Sequence, residues 1–241
     1  MANRDTTTNL PESATTVPVL TIDGPSGSGK GTVGQLLAQR LGWHFLDSGA
    51  LYRALGVAAA GAGVDLGDKP GLARLALAMD IRFVPRAGGD TVGVLLNGEE
   101  IGEALRTEEG GRRASIVAAI PEVRRALLQK QHAFRQPPGL VADGRDMGTT
   151  VFPEAILKIY LTASPEVRAE RRYKQLKEKG FDVNLRQLLD EIRERDARDA
   201  EREASPLKPA QDACTVDTSQ LDISGVVERI YGLLQERQRR G

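Results

Sequence analysis

The amino-acid sequence predicts an α/β protein built on a doubly wound, five-stranded parallel sheet. Short apolar runs bounded by turn residues alternate with longer segments whose apolar residues recur at helical spacing, which is typical of βαβ units. The 241 residues are enough for one large domain, which would bury roughly 70 to 75% of its unfolded surface. With 40% hydrophobic and 27% charged residues, the composition is that of an ordinary globular protein.

Five segments are the predicted strands of this sheet, and they occur at 17–23, 43–47, 139–143, 155–162 and 214–218. Between the first two, Val33, Leu37 and Leu41 recur at helical spacing and predict a crossover helix. The sequence therefore places a strand, a helix and a second strand in the first part of the chain.

The stretch 80–106 interrupts this alternation. It contains two short apolar runs joined by a turn with a Gly-Gly pair at 88–89, which predicts a small antiparallel module inserted between the second and third strands. In the helical segment that follows, Pro121 lies near the middle. Because proline breaks a helix interior, two helices are expected to meet there.

Two heavily charged helical segments, 165–180 and 184–206, follow the fourth predicted strand. Asn184 is the predicted N-cap of the second, and Pro206 is its predicted end. Because such a hairpin buries little by itself, it is a candidate lid.

A glycine-rich loop connects the first predicted strand to the crossover helix. It reads GPSGSGKGT and comprises Gly24, Pro25, Ser26, Gly27, Ser28, Gly29, Lys30, Gly31 and Thr32. This order of strand, loop and helix is that of the P-loop, in which backbone N–H groups wrap phosphate oxygens and the lysine contacts the β- and γ-phosphates. A turn that merely links strand to helix is the alternative, and the spacing disfavours it. We therefore predict nucleotide binding.

The position after Lys30 departs from the general motif. Gly31 stands where a Ser or Thr hydroxyl usually reaches Mg²⁺, and Thr32 follows one position later. The GKGT ending argues against GTPases and motor ATPases, and it is similar to nucleoside monophosphate kinases. In that group the metal is held mainly by ATP phosphates and water, so we predict Mg²⁺ as the cofactor of ATP without metal ligands from the protein.

Two further segments follow predicted strands and predict an acceptor site. DSGALYR covers 47–53, and DGRDMGTTVFP covers 143–153. Ligands of open α/β sheets bind beyond the carboxyl ends of the strands, so both segments should border the crevice of the P-loop. Arg53 and Arg145 could then bind an acceptor phosphate. Either arginine alone could equally be a surface residue paired with a nearby aspartate, but together they favour a site.

The second charged helix places Arg195, Arg198 and Arg202 on one face, with Asp199 on the same side. That face could close over a triphosphate. The opposing interpretation is an ordinary solvated helix, because i,i+4 pairs such as Glu191 with Arg195 contribute only ~0.3 to 0.5 kcal/mol each. Without the P-loop upstream, the solvated helix would be preferred.

Four segments, in this order and spacing, resemble the bacterial cytidylate kinases: GPSGSGKGT, DSGALYR, GLVADGRDMGTTVFP and RERDARD. The segment ADGRDMGT is more specific than the P-loop. The resemblance implies a P-loop kinase domain over 17–241, with ATP and Mg²⁺ as donor and CMP or dCMP as acceptor. Its implied parts are a core at 17–64, 111–164 and 206–241, a monophosphate-binding insert at 65–110, and a lid at 165–205.

The resemblance also implies roles for individual residues. Contacts to the phosphate and sugar side of the acceptor are implied for Ser48, Tyr52 and Arg53. Contacts to the cytosine ring are implied for Ser115, Arg124 and Asp146. Contacts to phosphate or sugar are implied for Arg145, Arg171, Arg195, Arg202 and, at the ribose, Asp199. The predicted catalytic residues are Lys30, Arg145, Arg171 and Arg195.

Charge and cysteine content limit the partners and the compartment. The formal net charge is zero, from 33 basic and 33 acidic side chains, so we expect no nucleic-acid partner. The single cysteine, Cys214, cannot form an intrachain disulfide, which favours the cytoplasm. The longest apolar stretch, 54–64, is shorter than the ~20 residues that span a bilayer, so we expect no membrane contact. The polar residues 1–16 are predicted to be a disordered tail, and the protein is expected to be a monomer.

Two alternatives remain at this point. The first is a kinase of the same fold for another acceptor, such as shikimate, adenylate or guanylate. The second is a nucleotide-dependent switch whose P-loop binds without productive turnover, and such a switch would need no acceptor pocket at 47–53 and 143–153.

Overall fold

The computed structural model describes residues 17–85, 92–102 and 104–240. Within these ranges the strands are β1 (Val19–Asp23), β2 (His44–Asp47), β3 (Ile81–Pro85), β4 (Val92–Leu96), β5 (Glu99–Glu100), β6 (Leu140–Gly144), β7 (Leu157–Thr162) and β8 (Cys214–Asp217). The α-helices are α1 (Lys30–Leu41), α2 (Ser48–Gly61), α3 (Lys69–Ala78), α4 (Glu108–Val117), α5 (Pro121–Ala133), α6 (Pro165–Glu178), α7 (Leu185–Glu201) and α8 (Ile223–Arg240). A 3₁₀ turn spans Ala104–Arg106, and a π-helical turn spans Met147–Val151.

The main sheet has the strand order β2-β6-β1-β7-β8, and every neighbouring pair is parallel. This confirms the predicted five-stranded parallel sheet. β1 lies at its centre, with Val19 opposite Leu140 on one side and Leu20 opposite Leu157 on the other. All residues of β1 and β6 are buried, as expected for strands covered on both faces.

Helices cover both faces of the sheet, so the fold is doubly wound. Because side chains alternate along a strand, Val19 packs into one hydrophobic cluster while Leu20 and Ile22 pack into the other. The first cluster contains residues of α2, α4 and α5, and the second contains residues of α1 and α8. Each crossover therefore buries its apolar face against the central strands.

Short polar side chains set the starts of several helices. Asp47 caps α2 by accepting from the Ala50 amide at 2.9 Å, and Asn184 caps α7 as predicted. The predicted break at Pro121 is confirmed, because α4 ends at Val117 and Pro121 is the first residue of α5, where its missing N–H costs nothing.

The inserted module is antiparallel, with β3 paired to β4 and β4 paired to β5. A short third strand, Glu99–Glu100, is therefore added to the two that were predicted. The predicted Gly-Gly turn at 88–89 and the predicted tail at 1–16 lie outside the described residues.

The second charged helix was expected to reach Pro206, and this is wrong. α7 ends at Glu201, and Arg202 is already extended. The chain then folds back, with the Leu207 amide donating to the Asp199 carbonyl at 2.7 Å and Ser205 in a left-handed conformation at φ 52°. The fold-back satisfies a helix-end carbonyl that would otherwise lack a partner. Within the described ranges, no helix combines the length and apolarity needed to cross a bilayer.

The neighbouring residues Leu36 and Leu37 test how α1 packs. Leu37 is fully buried between α1 and the sheet, whereas Leu36 is 39% exposed. Leu37→Ala should lower the free energy of unfolding by about 2 to 5 kcal/mol, because it leaves a cavity. Leu36→Ala, the matched control, should change it by about 0.5 kcal/mol or less. Urea unfolding measures both, and equal losses would contradict the packing of α1.

Candidate active site

A cavity of about 250 Å³ opens where β2 and β6 end and the P-loop begins. This edge is where ligands bind in open α/β sheets. Most of the residues predicted for the site line this cavity, namely Ser26, Lys30, Gly31, Ser48, Tyr52, Arg53, Ser115, Arg124, Arg145, Asp146, Arg195, Asp199 and Arg202. They come from the P-loop, α2, α4, α5, α7 with the residue that follows it, and the segment after β6, so the fold brings together side chains that are far apart in sequence.

The P-loop has a backbone shaped for an anion. Gly27 and Gly29 have φ values of 78° and 92°, and such left-handed residues next to right-handed ones turn successive N–H groups into a common concavity. No side chain caps the N-terminus of α1 at Gly29, so the first amides of that helix remain available to phosphate oxygens.

A local steric constraint explains why position 31 is a glycine. A Cβ at this position would lie 3.3 Å from Oδ2 of Asp143, which is closer than most Cβ contacts. A Ser or Thr, usual at this place in the P-loop motif, would press against that buried carboxylate. Glycine replaces the usual Ser or Thr here because Asp143, near the end of β6, leaves little room for a larger side chain.

Lys30 and Asp143 form a buried charged pair at the centre of the cavity. The Lys30 ammonium donates to the Pro25 carbonyl at 3.2 Å and lies 3.9 Å from Asp143 Oδ1. Burial and the positive charge of Arg145 lower the pKa of Lys30 to about 8, although Asp143 opposes this. Burial raises the pKa of Asp143 to about 6, and Lys30 opposes that shift. Near neutral pH both groups are mainly charged, so Lys30 can meet a phosphate as a cation.

Asp23, the last residue of β1, fixes the loop that follows β6. Its two carboxylate oxygens accept from the amides of Met147 and Gly148 at 2.8 Å each. Burial raises the pKa of Asp23 to about 7, and these two hydrogen bonds oppose the rise. The start of the P-loop and the π-helical turn behind Asp146 are thus held together.

Arg124 and Asp146 are joined by a hydrogen-bonded ion pair on the acceptor side of the cavity. Their side chains are only 10% and 3% exposed. The Arg124 guanidinium also donates to the Ala118 carbonyl at 3.2 Å and lies 5.7 Å from the centre of the Tyr52 ring. Two nearly buried side chains, one a donor and one an acceptor, therefore lie side by side, which is a geometry suited to reading the edge of a base.

Arg145 connects the loop after β6 to α7. Its Nε donates to Asp199 Oδ2 at 2.8 Å. Burial raises the pKa of Asp199, but the charges of Arg145, Arg195 and Arg202 outweigh this, and the net shift is downward. Asp199 is therefore a fixed anion among cations, and it brings α7 over the cavity.

Two cavity arginines keep buried donors that lack a partner. Arg53 Nη2 donates to Asp47 at 2.7 Å, yet its Nε has no partner, and neither has Nη2 of Arg202, whose Nε donates to the Ser205 carbonyl. Buried unpaired donors are costly, and phosphate oxygens would satisfy them. Arg53 and Arg145 each pair with an aspartate, as the alternative interpretation predicts, and both arginines also line the cavity.

Two predicted lid residues do not reach the cavity. The side chain of Arg198 is 51% exposed and lies 3.8 Å from Glu194, which agrees with the interpretation as a solvated helix and not with a contact to a triphosphate. Arg171 donates to Thr218, to its carbonyl at 2.6 Å and to its hydroxyl at 3.1 Å. Its predicted catalytic role stays a prediction.

Sequence reasoning missed two acidic residues that line the cavity. Asp47 is the last residue of β2 and Asp143 is the penultimate residue of β6, and the two are opposite each other in the sheet register. An acidic residue at the carboxyl end of each of two parallel strands was the available signal. Both were seen only as the first letters of motifs.

Comparison with known proteins places the sequence in one family. The sequence model described as cytidylate kinase matches residues 20–236. A cytidylate kinase of Stutzerimonas stutzeri (strain A1501) is 58% identical over 93% of this chain and 98% of its own length. One of Pseudomonas aeruginosa (strain UCBPP-PA14) is 59% identical over 89% and 93%, respectively. Among solved structures, a shikimate kinase of Bacteroides thetaiotaomicron aligns over 90% and 98% with 16% identity and a TM-score of 0.45, so the family assignment depends on the sequence relatives.

Two buried lysines test the electrostatics of the site. Because the folded-state pKa of Lys30 is about 8, below its ordinary 10.5, burying its charge costs stability below pH 8, and that cost is relieved as the pH rises towards 10.5. Lys30→Met should therefore unfold at pH 7 with a free energy equal to or above that of the wild type. Urea unfolding at pH 7 and pH 10 measures the difference, which should shrink at the higher pH.

Lys158 is the matched control. It is 8% exposed and donates to Asp212 at 2.9 Å, a bond that lowers the pKa of Asp212. Lys158→Met should lose about 1 kcal/mol, because it removes a favourable pair. A larger loss for Lys30→Met than for Lys158→Met at pH 7 would contradict the electrostatic picture of the site.

Proposed function

The chain belongs to the cytidylate kinase family, and from this premise we propose that it transfers the γ-phosphate of ATP to CMP or dCMP, releasing ADP and CDP or dCDP. The observation that carries the proposal is that the P-loop lysine and the Arg124–Asp146 pair line the same cavity. One end of this cavity suits phosphates, and the other suits the edge of a base. A direct transfer between two nucleotides needs both.

The donor would bind along the P-loop. Amides of Gly24 to Thr32 would surround the β- and γ-phosphates of ATP, and Lys30 would neutralise charge on the transferring group. No covalent nucleophile is needed, because an acceptor phosphate oxygen attacks the γ-phosphorus in line, and the protein contributes positioning and charge stabilisation. We assign no general base, since a phosphate monoester is already ionised near neutral pH.

The acceptor would occupy the other half of the cavity. Arg53 and Arg145 would bind its phosphate, with Ser48 and Tyr52 beside it, and Asp199 would bind the ribose. Ser115, Arg124 and Asp146 would contact the cytosine. The unpaired buried donors of Arg53 and Arg202 support phosphate binding on this side, and the closeness of Arg195 to Lys30 supports a shared role during transfer.

Magnesium is the cofactor that this chemistry requires. Mg²⁺ prefers oxygen ligands and usually keeps several waters, which donate hydrogen bonds to carboxylate oxygens. Those of Asp47 and Asp143 line the cavity beside Lys30. The residues present therefore fit a hydrated Mg²⁺ that is held chiefly by ATP phosphates and only indirectly by the protein. When bound, the ion neutralises charge on the β- and γ-oxygens.

A coupled assay of ADP release tests the function. ADP should appear only when a monophosphate acceptor is added with MgATP, and it should appear fastest with CMP or dCMP. Lys30→Met should lose several orders of magnitude in kcat while remaining folded, because it removes charge stabilisation of the transition state. ADP release that does not depend on an acceptor would instead indicate a nucleotide-dependent switch.

Asp146→Ala tests how the base is read. Cytosine donates from its amino group and accepts at the neighbouring nitrogen, whereas uracil does the reverse, so uracil would face like partners at Asp146 and Arg124. Sites of this kind can reject the wrong ligand by ~10⁴-fold. Asp146→Ala should lower kcat/KM for CMP much more than for UMP, while Lys30→Met should lower both together. An unchanged CMP-to-UMP ratio in Asp146→Ala would show that this residue does not read the base.

The helical hairpin of α6 and α7 is proposed to act as a lid. α6 buries only Arg168 and Ala169, and α7 buries only Leu188 and Asp199, so these helices should open at low free-energy cost. Hydrogen exchange at 165–201 should be faster than in β1 without ligand and should slow when a bisubstrate analogue binds. Equal protection of these amides with and without the analogue would show that the hairpin is not a lid.

The oligomeric state and compartment are also proposals. We propose a monomer, because the residues proposed to bind both nucleotides are all present in this one sequence, and a cytoplasmic protein, because a single cysteine fits a reducing compartment. Sedimentation of the purified chain tests the first and fractionation of cells the second.

A further inference from the structure

The P-loop is held from outside the cavity by side chains of α6 and of the segment that follows β8. Two of its backbone carbonyls, those of Ser26 and Ser28, accept hydrogen bonds from side chains that do not line the cavity. One donor is Arg168, and the other is Thr218, which is itself bound by Arg171. Arg168 and Arg171 are three residues apart and therefore share a face of α6.

Arg168 is a buried guanidinium with partners on three elements. Its Nε donates to the Ala163 carbonyl at 3.0 Å, and its Nη1 donates to the Ser26 carbonyl at 3.0 Å. Both terminal nitrogens also bind the carboxylate of Asp196 on α7. The side chain is 2% exposed, so water cannot replace these partners, and all of them fix its position.

Thr218 makes a second connection of the same kind. Its hydroxyl donates to the Ser28 carbonyl at 3.3 Å and accepts from Arg171 Nη1 at 3.1 Å, while Arg171 Nη2 donates to the Thr218 carbonyl at 2.6 Å. Thr218 is 2% exposed. A charged donor behind the hydroxyl polarises it and strengthens its own hydrogen bond.

The effect on the loop follows from the geometry of the peptide bond. In a trans peptide the C=O and the following N–H point in opposite directions, and among the described residues the one cis bond is Pro137–Pro138. Holding the Ser26 carbonyl outward turns the Gly27 N–H to the opposite side of the loop. Holding the Ser28 carbonyl does the same for the Gly29 N–H. Gly27 and Gly29 are also the residues with left-handed φ that shape the anion nest.

We propose that three side chains, those of Arg168, Arg171 and Thr218, are positioning residues. They preorganise the P-loop amides for the phosphates of ATP. The inference rests on the proposed function, because it assumes that the nest binds a polyphosphate. In this inference, Arg171 acts on the P-loop through Thr218 and does not contact the substrate. The inference also predicts that α6 affects ATP binding directly, because the Arg168 guanidinium that orients the loop is also hydrogen-bonded to Asp196 of α7.

Calorimetric titration of the apo protein with MgATP, inorganic tripolyphosphate and CMP tests the inference. Arg168→Lys keeps the charge but loses the fork that serves three partners. It should weaken binding of ATP and of tripolyphosphate by the same factor, roughly 10-fold, as expected for one hydrogen bond to a charged group. Binding of CMP alone should stay within twofold of the wild type.

Arg193→Lys is the matched control. Arg193 also connects α7 to α6, through Glu166 at 2.8 Å, but both side chains are more than half exposed and neither contacts the P-loop. This variant should bind all three ligands as the wild type does. Equal weakening in Arg168→Lys and Arg193→Lys would mean that the contact between the lid helices matters and the carbonyl does not, and the inference would be overturned.

Thr218→Val and Thr218→Ser keep the test decisive if Arg168→Lys folds poorly. Valine removes the hydroxyl at nearly constant volume and should weaken ATP and tripolyphosphate binding together, and serine should restore both. If ATP binding weakens while tripolyphosphate binding does not, these side chains act on the nucleoside, and the inference is wrong. Wild-type protein that binds neither probe would instead refute the proposed function itself.

Discussion

The pairing of buried charges at the carboxyl edge of the sheet is the constraint on which the rest of the structure depends. The segment 143–146 takes part in three such pairs, with Lys30 of α1, Arg124 of α5 and Asp199 of α7. A buried ion pair contributes little net stability, because desolvation offsets the Coulomb attraction. The hydrophobic clusters on the two faces of the sheet therefore stabilise the fold, while the charges fix how three helices meet above it.

Features set by local sequence could be predicted, and the reasons are physical. The central strands β1, β6 and β7 are mostly buried and mainly apolar, whereas the edge strands β2 and β8 are partly exposed. All five were readable because each is a short run bounded by turn residues in the alternation with helices. The P-loop was readable because glycines at fixed spacing are the residues that reach left-handed φ without strain. Asn184 and Pro121 also act within one helical turn of themselves, and both were predicted correctly.

Features set by tertiary contact could not be predicted. α7 stops at Glu201 because Leu207 folds back onto it, and no pattern within the helix announces this. Arg195 and Arg198 have the same residue type and similar acidic neighbours, yet one lines the cavity and the other faces solvent. The difference depends on which face of α7 the segment 143–146 meets. Most of the cavity residues could be predicted because the carboxyl ends of the strands converge. Residues that contact the P-loop from outside the cavity, such as Arg168, could not.

The charge balance of the cavity explains why closure of the lid should depend on ligand. Its lining contains six cationic and four carboxylate side chains. The positive charges of Arg145 and Arg195 both lower the pKa of Lys30, after the larger effect of burial. Burial and then Arg124 lower the pKa of Arg202. In the closed form these cations repel one another unless phosphates lie between them, and a ligand shifts a conformational equilibrium only by its differential affinity. If the hairpin of α6 and α7 acts as the proposed lid, phosphate groups should favour the closed arrangement, because there α7 and the P-loop face the same anion. Phosphates in the cavity should therefore hold the proposed lid closed more firmly than the protein's own charges do.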